Sequence, residues 1–334
     1  MDKGRLRFIE YMGKNLLKVM LLLLAVSMLS FMLVSFSPVD PIRAYVGEVG
    51  LSNMNPENLA KLEAYFGLNI PPWQRYGNWL KDFIQGDMGI SLVYRQPVWS
   101  VIQSKFMNSL VLMITAWIFS GVLGFILGTV AGLYRGRWID RCIKGYALLI
   151  ASIPTFWLAL VLLMIFSVWL QLLPIGLSVP IGVQAAEVSI FDNLKHLLLP
   201  ALTLSVIGIA NITLHTREKM IDIMGEEYIL FAKARGKGNW EIVRHHALRN
   251  ILLPAITLQF ASISEIFGGS VLVEQVFSYP GLGKAAVSAG LSGDAPLLLG
   301  IAVISAALVF GGNLIANLLY GLVDPRIRRG GAHG

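Results

Sequence analysis

The sequence has few charged residues and only one cysteine. Asp, Glu, Lys and Arg make up 14% of its 334 residues, whereas hydrophobic residues make up 55%. Soluble domains average about 25% charged residues, so this composition excludes an ordinary soluble protein and indicates an integral membrane protein. Because Cys142 has no second cysteine to pair with, an internal disulfide framework is also excluded.

Motifs that mark nucleotide-binding, hydrolytic or structural metal sites are also missing. The nearest approach to a P-loop is Gly283-Lys284, but Ser278 replaces the first glycine and Ala285 replaces the Ser or Thr. No His and Cys cluster has the spacing of a structural metal site. No Ser/His, His-Glu-x-x-His or paired-Asp constellation lies within an apolar segment. We therefore expect no catalysis by this chain and no nucleotide bound to it.

What the sequence does have is six apolar segments, each long enough to cross a bilayer core as a helix, which takes about 20 residues. Prolines and glycines inside several of them predict kinks, which a bundle tolerates because neighbouring helices satisfy the freed backbone groups. We therefore predict an all-α bundle of six spans, with the first segment retained and not cleaved. The predicted spans are 15–37, 106–133, 143–170, 196–216, 251–276 and 296–322.

Basic residues are concentrated on one side of this six-span bundle. The two termini, the second-to-third connection and the fourth-to-fifth connection carry 19 of the 27 Lys and Arg residues. The positive-inside rule places this side, and so both termini, in the cytoplasm. The long connection 38–105 is then extracytoplasmic, and we predict a small subdomain of short helices there. Residues 1–14 fit an interfacial helix or a disordered basic tail equally well, and residues 323–334 form a cytoplasmic tail.

The cytoplasmic connection 217–250 is the most distinctive stretch of the chain. It is predicted to form a helix, a break at Gly236 and Gly238, and a second helix that Asn239 can cap. A loop that only fixes topology needs the basic residues but not the apolar ones between them, so two alternatives remain: a topology loop or a protein-docking element. Lipid binding is less favoured because acidic residues interrupt the basic ones, and no nucleic-acid recognition fold is present.

The same stretch resembles a known family. "AKARGKGNWEIVRHHALRN" is similar to the cytoplasmic EAA loop of ABC-importer permeases of the dipeptide, oligopeptide and nickel group. The match departs from the family at the start of the motif, where Leu230 and Phe231 replace the Glu and the first Ala. Four further segments resemble the family in the same order, although Val39 replaces a glycine in the first: "VDPIRAYVG", "FGLNIPPWQRYGNWLKDFIQGDMGIS", "VFSYPGLGKAAVSA" and "LVDPRIR".

The resemblance implies a type I ABC-importer permease of a bacterial inner (cytoplasmic) membrane, with a core domain over 106–322. Its expected partners are a second homologous permease subunit, two cytoplasmic ATPase subunits that carry ATP and Mg²⁺, and an extracytoplasmic substrate-binding protein. Phe231, Ile242 and Val243 would supply apolar contact area to the ATPase. The residues of the implied coupling loop are Glu227, Ala232, Lys233, Ala234, Arg235, Gly236, His246, Leu248 and Arg249.

The substrate is predicted from two shorter stretches. "IPTFWLALVLLMIFSVWLQLLP" and "DPRIRRGGAHG" resemble the first permease subunit of the nickel importer, which implies nickel ion or a nickel chelate. Dipeptides, oligopeptides or another metal chelate are the alternative within the family. A secondary transporter is the alternative outside it, and would show internal repeats and paired broken helices, but we find no clear repeat.

Polar residues inside the predicted spans are candidates for the translocation path. Glu265 lies mid-span, where an ionised acid costs roughly 2.5–3.5 kcal/mol on insertion scales and so should face the bundle interior or water. Asn211, Gln259 and Ser262 are further candidates, although each could instead be structural. Glu265 and His215 are weak candidates for a metal contact, since Ni²⁺ favours imidazole nitrogen.

Overall fold

The computed structural model of the protein describes residues 3–36, 40–178 and 189–323. The C-terminal tail from residue 324, Val39 and the N-terminal side chains up to residue 12 lie outside the described residues, and so do the predictions made for them. Within the described ranges the regular elements are helical. They are α1 (Lys3–Ser35), α2 (Pro41–Ser52), α3 (Pro56–Tyr65), α4 (Pro72–Ile84), α5 (Val98–Leu133), α6 (Trp138–Ala151), α7 (Thr155–Leu163), α8 (Ile190–Met224), α9 (Glu227–Ala234), α10 (Asn239–Ile242), α11 (Leu248–Ala261), α12 (Ile263–Val276), α13 (Leu282–Leu291) and α14 (Ala295–Val323).

Among these, four helices are long and apolar enough to cross a membrane by themselves, and two bent pairs bring the count to six if each pair is one span. The first pair, α6 and α7, is bent by 107°, and the second is bent by 50° where α11 meets α12. Pro154 lies directly before α7, where it disfavours helical backbone in the preceding residue. The predicted span 143–170 is therefore sharply bent, and the all-α architecture with up to six spans agrees with the sequence.

The first compact unit comprises the chain up to Asn108 together with Gly281–Gly311. Its segment 38–105 contains the short helices α2, α3 and α4, and Asp40 and Asn55 cap the first two of them through side-chain oxygens.

Asp294 is fully buried in this unit. Its carboxylate accepts hydrogen bonds from the Ser91 hydroxyl (2.5 Å), the Val93 amide (3.0 Å) and the Leu297 amide (3.1 Å). It thereby ties the loop before α5 to the start of α14.

The second unit comprises Ser109–Pro280 and the chain from Gly312 onward. In this unit α5 and α8 approach each other closely along a stripe of glycines at positions 124, 128 and 132. A Cβ atom at Gly128 would lie 2.6 Å from both the Thr213 carbonyl oxygen and the Thr216 Cβ atom. A Cβ atom at Gly132 would lie 2.5 Å from the Met220 Cβ atom. Small residues four apart allow two membrane helices to approach this closely.

The segment after α12 is anchored in the same unit. Leu177 donates its amide hydrogen to the Phe277 carbonyl oxygen at 2.9 Å. The fully buried Glu274 accepts a hydrogen bond from the Ser109 hydroxyl at 2.6 Å. Burial, together with the nearby Glu274 carboxylate, raises the pKa of Tyr279 to about 12, so this phenol is neutral at any physiological pH. Sequence reasoning missed this cluster, which fixes the start of the segment "FSYPGLG".

Candidate functional site

The predicted coupling loop folds as α9, a tight turn, α10 and a π-helical segment, Val243–Ala247, that leads into α11. Gly236 has φ +82°, a conformation that glycine adopts without steric cost. Its amide donates to the Lys233 carbonyl oxygen (2.9 Å), and the Lys237 amide donates to the Ala232 carbonyl oxygen (3.2 Å). These two bonds form a Schellman motif, which ends α9 and turns the chain back.

The two helices of the loop enclose a small apolar core of their own. Ile229, Ala232 and Ile242 are buried together, with Ile223 and Met224 packed against them. Val243 is also buried, in a second cluster that includes Met220 on α8. Ile242 and Val243 therefore stabilise the loop from within and offer little contact area to a partner, contrary to the expectation from sequence. The reason is the turn at Gly236, which folds α10 back onto α9.

A different set of apolar side chains faces outward. Phe231 and Trp240 are 66% and 59% exposed, and Arg235 stacks over the Phe231 ring at 5.9 Å from its centroid. Exposed aromatic and arginine side chains are enriched in protein interfaces. Of the predicted loop residues, Glu227, Lys233, Ala234, Arg235, Gly236, Leu248 and Arg249 are exposed, His246 is half-buried, and Ala232 is buried.

A buried ion pair lies between α6 and α8, next to the predicted coupling loop. Arg217, near the end of α8, donates to both carboxylate oxygens of Asp140 at 2.5 and 2.9 Å, and Asp140 also accepts the Gly136 amide hydrogen at 2.8 Å. Asp140 and Arg217 are 3% and 8% exposed. The pair connects the turn between α5 and α6 to the helix that precedes the coupling loop. Sequence reasoning treated Arg217 only as a topology charge and did not single out Asp140.

The predicted path residues Gln259 and Ser262 lie at the bend between α11 and α12. Gln259 is buried, and its side-chain amide donates to the Trp117 carbonyl oxygen (2.5 Å) and the Ser120 hydroxyl (3.1 Å). Trp117 in turn donates its indole hydrogen to the Gln259 carbonyl oxygen at 2.8 Å, and the Ser262 hydroxyl donates to the same carbonyl at 2.8 Å. The Gln259 side chain therefore connects the bend to α5, whereas the Ser262 hydroxyl bonds within the bend itself.

The other two predicted path residues face each other. The Asn211 side-chain amide on α8 lies 3.3 and 3.5 Å from the two Glu265 carboxylate oxygens. Glu265 is exposed and Asn211 is half-buried. His215 is exposed one turn further along α8. Among the described residues, no group of three or more His, Cys, Asp or Glu side chains could hold a metal ion.

Sequence comparison places this architecture in a family. Residues 124–329 match the family described as "Binding-protein-dependent transport system inner membrane component", and residues 6–113 match the family that describes the N-terminal part of such membrane components. The chain belongs to the family of binding-protein-dependent ABC-importer permeases. The permease is accordingly a multi-pass inner-membrane transport subunit and not an enzyme.

Relatives of the permease share nearly its whole length. It is 37% identical to the oligopeptide transport system permease protein AppB of Bacillus subtilis (strain 168) over 95% of this chain and 98% of that protein. It is 33% identical to the dipeptide transport system permease protein DppB of Escherichia coli (strain K12) over 91% and 94% of the two chains. The fold is similar to that of a chain from inward-facing structures of the MetNI methionine ABC transporter, with a TM-score of 0.55 at 17% identity, covering 68% of the permease and 97% of that chain.

Proposed function

We propose that the permease forms half of the translocation path of an ATP-driven importer of dipeptides or oligopeptides. The observation that supports this most is the similarity to AppB over almost the entire chain, together with that to DppB. Both relatives are named for peptide transport. The similarity favours peptides as the substrate over nickel. Nickel was the substrate predicted from the resemblance of two short stretches alone.

The partners follow from the same proposal. A second homologous permease subunit completes the path, two cytoplasmic ATPase subunits bind and hydrolyse ATP-Mg, and an extracytoplasmic binding protein delivers the peptide. No cofactor is assigned to this chain. The contact surface for the ATPase consists of the exposed Phe231, Trp240 and Arg235. The fold of the loop that carries this surface is stabilised by the buried Ile229, Ala232 and Ile242. The basic residues of the loop also fix its cytoplasmic side.

The substrate is tested by uptake into proteoliposomes that contain the complete complex and its binding protein. We expect labelled trialanine to accumulate only when ATP is supplied on the ATPase side, and labelled Ni²⁺ to remain at background. Accumulation of Ni²⁺ but not of trialanine would reinstate the nickel interpretation. Peptide accumulation by vesicles that lack the ATPase subunits would instead indicate a secondary transporter.

The coupling role of the loop is tested at the Gly236 turn. Replacing Gly236 with valine forces a β-branched residue into φ +82°, which costs about 1–2 kcal/mol, and should unfold the Schellman turn. We expect ATP-driven trialanine uptake to fall about ten-fold or more while the subunit still inserts and assembles.

Gly238 provides a matched control for this substitution. It lies two residues away, has an ordinary φ of −71° and has open space around it, so Gly238→Val should retain most of the uptake. Ala232→Glu, which buries a carboxylate between Ile229 and Ile242, should behave like Gly236→Val. Normal uptake by both Gly236→Val and Ala232→Glu would refute the coupling role.

A further inference from the structure

Glu265 is an acidic side chain that lies in the middle of a span and is exposed. It lies in the first turn of α12 and is exposed, as are Gly268 and Leu272 on the same face of this helix. No Lys, Arg or His of the described chain forms an ion pair with it. An ionised acid at this depth is costly in lipid, and such residues face a bundle interior or water and mark substrate pathways.

The helix break that carries Glu265 is in contact with both α14 and α5. The preceding residue, Ser264, donates its hydroxyl hydrogen to the Asn313 side-chain oxygen at 2.8 Å. Ile263 packs so closely on α14 that a Cβ atom at Gly312 would lie 2.9 Å from its Cγ2 atom. Gln259 ties the other side of the bend to α5 through Trp117. Contacts of the neighbouring residues therefore fix the helix break that carries Glu265. The position of this backbone does not depend on the hydrogen bonds of the Glu265 carboxylate.

Glu265 and Asn211 can accept more hydrogen bonds than the described residues donate to them. The two contacts from the Asn211 amide to Glu265 are long, at 3.3 and 3.5 Å, whereas a carboxylate has about four lone-pair positions. The Asn211 side-chain oxygen is a further acceptor beside it. One turn along α12, a Cβ atom at Gly268 would meet nothing within 4 Å, so the face next to the carboxylate has free space.

We propose that Glu265 and Asn211 form a transit site for the α-ammonium group of the transported peptide. An ammonium group has three donors and no acceptor, which matches one carboxylate and one amide oxygen. An α-amino group has a pKa of about 8 and is mostly protonated at neutral pH, so peptides with a free N-terminus share this cation whatever their side chains. A single carboxylate contact is also weak enough for the peptide to be released, as a path requires.

This inference rests on the proposed peptide function, and trialanine is the appropriate probe because its only cation is the α-ammonium group. The experiment compares wild-type, Glu265→Gln and Glu265→Asp complexes in proteoliposomes, measuring trialanine imported and ATP hydrolysed. Gln keeps the shape and can still bond to Asn211, but it lacks the charge, and a neutral acceptor bonds roughly half as strongly as a charged one. We expect Glu265→Gln to import about ten-fold fewer peptides per ATP, and Glu265→Asp to stay well above it.

Glu57 supplies the matched control, because it pairs with Lys61 on an exposed helix surface and the same Glu→Gln change there should leave import unchanged. Equal peptide import per ATP by wild-type and Glu265→Gln complexes would overturn the transit site and leave the peptide function intact. A wild-type complex that imports no trialanine would instead refute the peptide function itself. A Glu265→Asp complex as impaired as Glu265→Gln would show that keeping a carboxylate at this position does not preserve import, and would also overturn the proposal.

Discussion

Replacing Gly128 with valine is expected to prevent α5 from packing on α8 and to eliminate transport. The position has no room for a side chain, since the nearest atoms to a Cβ would be the Thr213 carbonyl oxygen and the Thr216 Cβ atom, both at 2.6 Å. A backbone carbonyl cannot move aside as a flexible side chain can, so the two helices must separate. Overpacking a core typically costs about 1–3 kcal/mol, and we expect this site to lie at or above the upper end of that range.

The measurement is the thermal midpoint and the folded yield of the purified complex, followed by ATP-driven trialanine uptake. Gly145 provides the control. It lies within α6, but a Cβ atom there would meet nothing within 4 Å. Gly145→Val should therefore change the midpoint by little. A Gly128→Val complex as stable and active as the Gly145→Val complex would contradict the close α5–α8 contact.

The all-α architecture with four to six candidate spans could be predicted from the sequence because hydropathy dominates the formation of spanning helices. Their limits could not, since a helix continues as long as its backbone bonds are made and need not stop where the apolar residues end. The predicted span 196–216 thus lies inside α8, which runs from Ile190 to Met224. Likewise, the proline at position 154 predicted a kink, but the 107° bend depends on how α6 and α7 pack against their neighbours.

The site could be predicted less well, because its pairings join residues far apart in the chain. Asn211 and Glu265 are separated by 54 positions, and Asp140 and Arg217 by 77. Periodicity identifies polar residues within apolar segments but does not say which helices will face each other. Both Gln259 and Glu265 were therefore predicted from the sequence as residues of the translocation path. In the structure the Gln259 side chain donates a hydrogen bond to the Trp117 carbonyl oxygen, whereas the Glu265 carboxylate is exposed. The loop shows the same limit, since whether Ile242 points inward depends on the turn at Gly236.

Removing the carboxylate of Asp140 is expected to destabilise the base of the coupling loop strongly. Asp140→Ala leaves the Arg217 guanidinium buried without its bidentate partner, and breaking a buried pair in this way costs about 3–5 kcal/mol. The only other carboxylate that the structure pairs with Arg217 among the described residues is Glu218, at 2.6 Å, whose side chain is 65% exposed. We expect a much lower thermal midpoint of the complex and, because α8 leads directly into the loop, an additional loss of uptake per ATP hydrolysed.

Two comparisons separate this effect from a general loss of charge. Asp222 pairs with Lys219 at 3.7 Å on the surface, where such pairs contribute about 0–1 kcal/mol, so Asp222→Ala should be nearly neutral. The double variant Asp140→Leu with Arg217→Met removes both charges and should regain much of the lost stability, since apolar replacement of a buried pair is often tolerated. If that variant folds well but still imports few peptides per ATP, the ion pair transmits movement between α6, α8 and the loop. If it folds well and transports normally, the pair only stabilises the fold.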